Sequence, residues 1–266
     1  MGFYDAWKSK DHVQLFDSWS RIPLCVLRDR YERCNEVRLL NAWLEGRSPN
    51  FFLLEVGCAT GEFYRYFADR YRQATYVGCD ISEAAIRRAQ EKYASPGRFI
   101  HTDEKLVSVA CLKPDVVFCR DVILHQPAPF DFLHRLYELA HQAVVLRLRT
   151  RDEGATETDP EKSCQLNYGV WAPYIVLNCK ELVSCLQQFL PPPCCIRLAK
   201  HYTVLGGQHA RFLPKDCYYP KTATAESALL IEKGTGNDAC TVMEEAMPEH
   251  LQLGLLSRVL ARLLRR

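Results

Sequence analysis

The stretch FFLLEVGCATGEF, residues 51–63, decides the fold of this chain. It begins with a short apolar run of strand length that breaks at Gly57, and apolar residues then recur at helical spacing from Thr60 to Arg72. Small residues at positions 57, 59 and 61 permit a tight turn, and the first N–H groups of the following helix can bind a polar or anionic ligand. The stretch therefore predicts a strand, a turn and a helix that form a nucleotide-cofactor loop.

The spacing within this loop argues against two other classes of enzyme. Gly-x-Ala-x-Gly differs from the Gly-x-Gly-x-x-Gly of NAD and FAD proteins, because the third small residue comes one position early. The Tyr-x-x-x-Lys pair of short-chain dehydrogenases occurs at Tyr4 and Lys8, upstream of the loop. The sequence also lacks a Gly-x-x-x-x-Gly-Lys-Ser/Thr phosphate loop. These patterns disfavour a dehydrogenase and a phosphotransferase.

Strand and helix patterns alternate beyond the loop. Strands are predicted at 75–80, 98–103, 115–119 and 143–148, and helices at 82–93, capped by Ser82, and at 127–140. After a long connection at 149–179 and a helix at about 180–190, strands at 196–205 and 226–232 have no helix between them, so we expect them to pair antiparallel at one edge. The predicted fold class is a doubly wound α/β fold with a mostly parallel seven-stranded sheet and an antiparallel edge strand.

The pattern divides the chain into three parts. Residues 1–48 read as an N-terminal helical cap, residues 49–233 carry the α/β domain, and residues 234–266 read as a linker followed by a C-terminal amphipathic helix. That helix is predicted to dock on its own domain, on a second subunit in a homodimer or other partner, or on an anionic membrane surface, with protein as the default. A net charge of +2 provides no global field for nucleic acid, so we expect no nucleic-acid partner.

Cysteine usage and hydropathy indicate the setting. The chain has 13 cysteines, an odd number, and its N-terminus has no apolar stretch resembling a signal peptide, which predicts a reduced, cytoplasmic protein. No Cys-x-x-Cys pair occurs, so no metal site is expected. The longest uncharged stretch, residues 163–179, contains several polar residues and a proline, so no transmembrane segment is predicted.

Polar residues end three further predicted strands. Asp80 ends the second strand, 19 residues after Gly61, where a carboxylate can accept hydrogen bonds from both hydroxyls of a ribose. Asp103 ends the third strand, and Cys119-Arg120-Asp121 ends the fourth. Since open parallel sheets bind ligands at the carboxyl ends of their strands, we expect these residues to converge on one crevice.

The segments LLEVGCATGEF, VGCDIS, FIHTD and PDVVFCRDVILH resemble, in order and spacing, the motifs of class I S-adenosylmethionine-dependent methyltransferases with a Rossmann-like fold. The likeness covers about residues 50–150, and the order of elements fits as far as about 233. The resemblance implies S-adenosylmethionine as the cofactor. It also implies roles for individual residues. Glu55 begins the glycine-rich motif, in which Gly57, Cys58 and Gly61 line the methionine part of the cofactor and Ala59 stands where glycine is commoner. Asp80 binds the ribose, Ile81 lies against the adenine, and Asp103 binds the adenine amino group. Cys119 and Arg120 form the floor of the site beside the sulfonium.

Catalytic and substrate residues are harder to predict, because methyl transfer needs alignment more than covalent help. His125 follows the fourth strand and is the candidate base, although a histidine that fixes the loop fits equally well. The connection after the fifth strand carries Tyr168, Trp171 and Tyr174 behind an acidic segment, which predicts an acceptor-binding lid or a hydrophobic plug. Residues 207–224 offer an alternative wall through His209, Arg211, Tyr218 and Tyr219.

The sequence as a whole predicts an enzyme that moves the methyl group of S-adenosylmethionine to an oxygen or nitrogen of a small molecule. Two alternatives stay open. One is a protein or RNA methyltransferase. The other is a non-catalytic methyltransferase-like subunit that binds a partner through the C-terminal helix.

Overall fold

Three helices precede the sheet. The computed structural model describes residues 4–19, 22–206, 212–213, 223–235 and 239–249. The helices are α1 (Lys10–Trp19), α2 (Leu24–Glu32) and α3 (Asn35–Leu44). Helix α3 buries Val37, Leu39, Leu40 and Trp43, residues at the spacing that places apolar side chains on the face turned toward a core.

A regular alternation of strands and helices follows the cap. Its elements are β1 (Phe52–Val56), α4 (Glu62–Arg70), β2 (Thr75–Asp80), α5 (Glu83–Tyr93), β3 (Phe99–His101), β4 (Val116–Arg120), α6 (Pro129–Leu139) and β5 (Ala143–Arg151). Ser82 caps α5 as predicted, because its side chain accepts a hydrogen bond from the Ala85 N–H. The crossover from β3 to β4 contains a 3-10 turn, Val107–Val109.

The second half of the chain is richer in strands. It contains β6 (Cys164–Asn167), β7 (Val170–Pro173), β8 (Leu177–Asn178), α7 (Cys179–Leu186), β9 (Pro193–Tyr202), β10 (Phe212–Leu213), β11 (Thr224–Lys233) and β12 (Thr241–Ala246). Strands β10, β6 and β7 form a small antiparallel sheet of their own. The long connection after β5 is therefore built around a hairpin.

The main sheet has the strand order β12-β9-β11-β5-β4-β1-β2-β3, with β8 added beside β5. Strands β1 to β5 run parallel, and β11 runs antiparallel to both of its neighbours. The chain moves outward from β1 to β3, then crosses back to β4. The strand order thus reverses between β1 and β4, and ligands bind at such a point in open α/β sheets.

The predicted fold class is confirmed, whereas the number of strands and the place of the antiparallel strand differ. Among the described residues the sheet has nine strands rather than seven, because β8 and β12 were not predicted. Strand β12 pairs parallel with β9, in a segment predicted as linker, and it covers backbone groups that would otherwise be exposed at the edge. Strands β9 and β11 pair antiparallel as predicted, but β11 lies inside the sheet because it also pairs with β5.

Both faces of the parallel strands are buried. On β1, Leu54 and Val56 join one apolar cluster with α6 and α7, while Leu53 joins a second cluster with α3 and α4. This two-sided burial explains why the strand reads as an unbroken apolar run rather than an alternating one.

Two further observations concern the setting. In the part of the chain that the structure describes, the cysteines are free thiols. None of the helices within the described ranges has the length and apolarity needed to cross a bilayer.

Candidate functional site

A cavity of about 310 Å³ lies at the carboxyl ends of β1, β2 and β4. Residues 55–59, 79–81 and 120–122, which end these strands, line it. The volume falls in the ~300–1,000 Å³ range of small-molecule sites. The cavity therefore occupies the position at which the fold favours a ligand.

Gly57 brings the backbone to the cavity. It has φ +83°, and a Cβ added there would lie 2.3 Å from Val122 Cγ2. The N–H groups of Gly57 and Cys58 both donate to the Cys79 carbonyl, at 2.8 and 3.1 Å, which ties the loop to β2. Ala59 also adopts the left-handed region, with φ +46°. Only a glycine fits at position 57 without displacing Val122.

Gly61 serves packing instead. It has φ +77°, and an added Cβ would lie 2.8 Å from Tyr93 Cε2 and 2.9 Å from Phe99 Cε1. Its carbonyl accepts a hydrogen bond from Tyr93 Oη at 2.8 Å. Gly61 is not among the residues that line the cavity. This glycine lets α4 begin against α5 and β3, which differs from the contact with a cofactor that the resemblance implies.

Asp80 clamps the glycine-rich loop. Its Oδ2 accepts from the Ala59 N–H and its Oδ1 from the Ser82 N–H, each at 2.8 Å. Burial raises the pKa of this carboxyl, and the two backbone donors oppose that shift. Each oxygen keeps a second acceptor position for a ligand hydroxyl. The sequence pointed to the carboxylate as a ligand group but gave no sign that it also holds the loop.

Glu55 is a buried acid on β1. Its carboxylate accepts a hydrogen bond from Tyr76 Oη on the neighbouring strand. Burial raises the pKa of Glu55 to about 8, because the side chain is removed from water in an apolar layer. Glu55 is therefore largely protonated at neutral pH, and it contributes a hydrogen-bonding group to the cavity rather than a full charge.

Three buried polar atoms at the cavity have no hydrogen-bond partner. They are Glu62 Oε1, Thr102 Oγ1 and His12 Nδ1. Buried polar atoms are nearly always satisfied in folded proteins, so a group of three around one cavity points to a ligand that supplies the partners. None of the three was predicted from the sequence to lie in the site, although Glu62 directly follows Gly61 and Thr102 directly precedes Asp103.

Arg120 extends toward the cavity from the end of β4, and two residues of the N-terminal helices contact its guanidinium. Its Nε donates to Glu36 Oε1 on α3 at 2.6 Å, and its guanidinium lies 4.9 Å from the Tyr31 ring centroid. Glu36 also accepts from Arg147 Nη1 at 3.1 Å. Cys119, by contrast, is fully buried in the core and does not line the cavity.

Ile81 and Asp103 both line the cavity, as predicted. Asp103 is exposed, and its Oδ1 accepts from the N–H groups of Lys105 at 3.2 Å and Val107 at 3.0 Å. These bonds shape the loop after β3. Its other oxygen remains available to a ligand at the rim.

His125 is buried in the 3-10 turn Ile123–His125, at the cavity. Its Nδ1 lies 2.8 Å from the Pro173 carbonyl, which assigns the proton to Nδ1 and leaves Nε2 as the acceptor. Burial lowers the pKa of His125 to about 4. The imidazole is therefore neutral at physiological pH, and it is a weaker base than an exposed histidine.

One of the three predicted substrate residues reaches the cavity. Tyr168 lines it from the turn between β6 and β7, where Tyr168 and Gly169 have φ +50° and +77°, as a type I′ turn requires. Trp171 is 44% exposed and lies away from the cavity. Tyr174 is buried in a small cluster with Leu124. The three residues take different environments because Tyr168 lies in the turn, Trp171 on β7 and Tyr174 after the end of β7.

The N-terminal segment supplies rings that the sequence analysis did not assign. Trp7, His12 and Phe16 line the cavity, and the Trp7 ring centroid lies 4.3 Å from that of His125. His12 and Phe16 are four residues apart on α1, so they share one helical face. Their spacing in the sequence predicts that the two rings share one face of a helix, but it does not reveal that this face covers the cavity.

Comparison with known proteins shows what this chain is similar to. Residues 54–146 match the family described as a methyltransferase domain. The N-terminal domain of EvdMO1, solved in the presence of SAH and D-fucose, superposes with TM-score 0.54 at 15% identity, covering 78% of this chain and 83% of that one. The plantazolicin methyltransferase BpumL, solved with SAH, gives TM-score 0.53 at 16% identity over 87% and 94%. The matched segment is thus similar to a methyltransferase domain, and the chain shares the fold of both solved structures.

One curated relative of this chain is described as acting on tRNA. It is a tRNA (guanine-N(7)-)-methyltransferase of Rubrobacter xylanophilus, 34% identical over 117 residues, which cover 38% of this chain and 51% of that protein. The chain thus spans about half the length of the curated relative that it matches. The family match over residues 54–146 includes the strand ends of β1, β2 and β4, whereas Trp7, His12, Phe16 and Tyr168 lie outside it.

Some predicted features of this chain fall outside the described residues. They are the alternative wall at His209, Arg211, Tyr218 and Tyr219 and the C-terminal helix beyond Glu249. Within the described ranges, no group of three or more His, Cys, Asp or Glu side chains is placed to hold a metal ion.

Proposed function

We propose that this chain is a class I methyltransferase, which binds S-adenosylmethionine at the ends of β1, β2 and β4 and transfers its methyl group to an oxygen or nitrogen of a small molecule. When bound, the cofactor supplies an electrophilic methyl group on a positively charged sulfur. The observation that carries the proposal is a pair of buried oxygens at the cavity: Thr102 Oγ1 has no hydrogen-bond partner, and Glu62 Oε1 lies beyond hydrogen-bond distance, at 3.9 Å, from its ion-pair partner Arg30 Nη1. They offer an acceptor for a cationic amino group and a hydroxyl for a polar ligand atom.

The residues present fit the cofactor. Gly57 brings the backbone to the cavity, and Asp80 keeps acceptor positions for two ribose hydroxyls. Ile81 and Asp103 lie at the cavity for an apolar and a polar contact with a base. Burial raises the pKa of Glu62, and a cation bound beside it would oppose that shift.

The charges around the cavity favour a small molecule over tRNA as the acceptor. Its described lining residues include six acids and one basic residue; these are Glu55, Glu62, Asp80, Asp103, Glu104, Asp121 and Arg120. A polyanion is bound mainly through Lys and Arg contacts to its phosphates. With Glu55 protonated, the other acids still outnumber Arg120, so the described lining lacks the cations that such a chain needs, whereas it accommodates a neutral or cationic acceptor. The tRNA methyltransferase relative keeps RNA as the second candidate.

His125 would orient the acceptor through Nε2 rather than remove its proton before transfer. Its Nδ1 is committed to Pro173, and its lowered pKa makes it a weak base. Methyl transfer gains most from alignment, so an orienting hydrogen bond is a useful contribution.

Calorimetry with S-adenosylmethionine tests the cofactor site. Asp80→Asn replaces one carboxylate oxygen with a donor, which cannot accept from the loop N–H groups or from a ribose. We expect the dissociation constant to rise by about 5- to 150-fold, corresponding to ~1–3 kcal/mol for an unsatisfied buried partner. Asp131→Asn, on the exposed start of α6, is the matched control. An unchanged affinity in Asp80→Asn would refute the assignment.

A transfer assay tests the acceptor class. The protein is incubated with methyl-labelled S-adenosylmethionine and, separately, with a small-metabolite fraction or with unmodified tRNA. Label in the small-metabolite fraction supports the proposal, and label on tRNA guanine overturns it in favour of the RNA candidate. Failure to bind the cofactor together with absence of label would indicate a non-catalytic subunit.

A further inference from the structure

Five rings form one continuous surface at the cavity, which we name the aromatic wall: Trp7, His12, Phe16, His125 and Tyr168. The His12 ring centroid lies 4.7 Å from that of Phe16 and 5.6 Å from that of Tyr168. The Trp7 centroid lies 5.7 Å from His12 and 6.2 Å from Tyr168. The five rings belong to the N-terminal segment, the turn after β4 and the β6–β7 hairpin, and none of them belongs to the glycine-rich loop.

The three segments that form the aromatic wall offer no unpaired charge among their described lining residues. The other lining residues from the same three segments are Tyr4, Leu15, Asp121, Val122, Gln126, Gln165 and Asn167. The carboxylate of Asp121 is already paired with Arg149 at 2.8 Å. Bringing an anion out of water against rings, amides and a carboxylate costs free energy that these residues do not offset. The aromatic wall therefore disfavours an anion and offers no unpaired countercharge to a cation, whereas flat uncharged rings pack well on such surfaces.

His12 adds a polar requirement. It is 5% exposed, and its Nδ1 is buried without a hydrogen-bond partner. Burial lowers the pKa of His12 to about 4, so the ring is neutral at physiological pH and Nδ1 is a donor in one tautomer and an acceptor in the other. A hydroxyl group can pair with either tautomer, because it both donates and accepts.

Tyr168 gives independent support. Its φ of +50° is an unfavourable conformation for a bulky residue, held at the tip of the hairpin. Strained conformations of this kind collect at ligand-binding positions, where the surrounding structure maintains them. Here the strain places a ring at the cavity rather than a small turn residue.

We propose that the aromatic wall binds the methyl acceptor, and that this acceptor is an uncharged, flat ring compound whose hydroxyl group hydrogen-bonds to His12 Nδ1. The inference rests on the proposed function for its statement that the ligand is an acceptor. The binding itself does not depend on transfer, so it can be measured separately.

The test uses calorimetry on the full chain with three probes, in the presence and absence of S-adenosylhomocysteine (SAH). The probes are 2-naphthol, its saturated analogue decahydro-2-naphthol, which is not flat, and 2-naphthoate, which is charged. We expect 2-naphthol to bind at least about tenfold more tightly than either analogue, which corresponds to ~1.4 kcal/mol. Equal affinity for 2-naphthoate, or no binding of 2-naphthol by a protein that binds SAH, overturns the inference.

His12→Phe keeps a ring and removes the nitrogen. It should weaken 2-naphthol binding by about 5- to 30-fold, the loss expected for one hydrogen bond to a buried group, and leave SAH affinity unchanged. His134→Phe, a half-exposed histidine on α6 whose ring contacts Phe189, is the matched control. Unchanged 2-naphthol affinity in His12→Phe refutes the role of His12.

Two further readouts separate the possible failures. If His12→Phe folds poorly, Phe16→Leu is the second variant, because it keeps an apolar side chain and removes the flat ring. It should reduce the ratio of the affinities for 2-naphthol and decahydro-2-naphthol. An unchanged ratio contradicts the inference. If wild-type protein binds 2-naphthol but not SAH, the proposed function fails while the aromatic wall stands as a binding site.

Discussion

Gly57→Ala isolates the close approach at the head of the glycine-rich loop. The added Cβ carries two costs. The left-handed conformation, φ +83°, costs an alanine ~1–2 kcal/mol. The Cβ would also lie 2.3 Å from Val122 Cγ2, and relieving such an overlap costs a further ~1–3 kcal/mol. We therefore expect the free energy of unfolding to fall by ~2–5 kcal/mol, as measured by urea denaturation at 25 °C.

Gly46→Ala is the matched control, because Gly46 has φ +75° and nothing within 4 Å of the added Cβ. It should lose only the conformational ~1–2 kcal/mol. Adding Val122→Ala to Gly57→Ala should recover the steric part, and Val122→Ala alone completes the double-mutant cycle. If Gly57→Ala and Gly46→Ala are equally destabilised, or if the cycle shows no coupling, the contact with Val122 is not what restricts position 57.

Three other outcomes follow from the site. The pKa values of His12 and His125 are both lowered from 6.5 to about 4, so the free energy of unfolding should decrease as pH falls from about 6.5 to 4. His12→Phe should make the free energy of unfolding less dependent on pH in that range, as measured by denaturation at several pH values. The pKa of Glu55 is raised from 4.5 to about 8, so the free energy of unfolding of the wild type should decrease as pH rises from about 4.5 to 8. Glu55→Gln should remove this decrease. The same pH dependence in Glu55→Gln and wild type would contradict the argument that burial raises this pKa. Trp171→Ala should leave the acceptor KM unchanged, since Trp171 is 44% exposed, whereas Tyr168→Ala should raise it in steady-state kinetics; the reverse pattern would assign the lid to Trp171.

The floor of the cavity could be predicted because its signals are local. An unbroken apolar run marks a strand buried on both faces, and the residue that ends such a strand must lie at the carboxyl edge of the sheet. Asp80 and Arg120 were placed correctly by this reasoning. The clamp from Asp80 to the Ala59 N–H was not predictable, since it depends on the distance between two loops rather than on either sequence.

The aromatic wall and strand β12 could not be predicted for a related reason. All six residues of β12 are exposed, so the strand has no apolar alternation, and its existence depends on the free edge of β9. Tyr168 and Tyr174 are equally aromatic in the sequence, but Tyr168 lines the cavity from the turn of the hairpin, whereas Tyr174 follows β7 and is buried in a small cluster with Leu124. Pairing between distant segments carries this information, and single-sequence patterns do not contain it.

The two sides of the cavity are joined through α1. Lys92 on α5 donates from Nζ to the Thr60 carbonyl in the glycine-rich loop at 3.1 Å, and the same Nζ lies 3.2 Å from Asp17 Oδ1 on α1. Asp17 also pairs with Arg88 at 2.9 Å. Since α1 carries His12 and Phe16, the helix that supplies the aromatic wall is tied to the same lysine that supports the loop. Lys92 therefore bridges the glycine-rich loop and the helix that carries two rings of the aromatic wall.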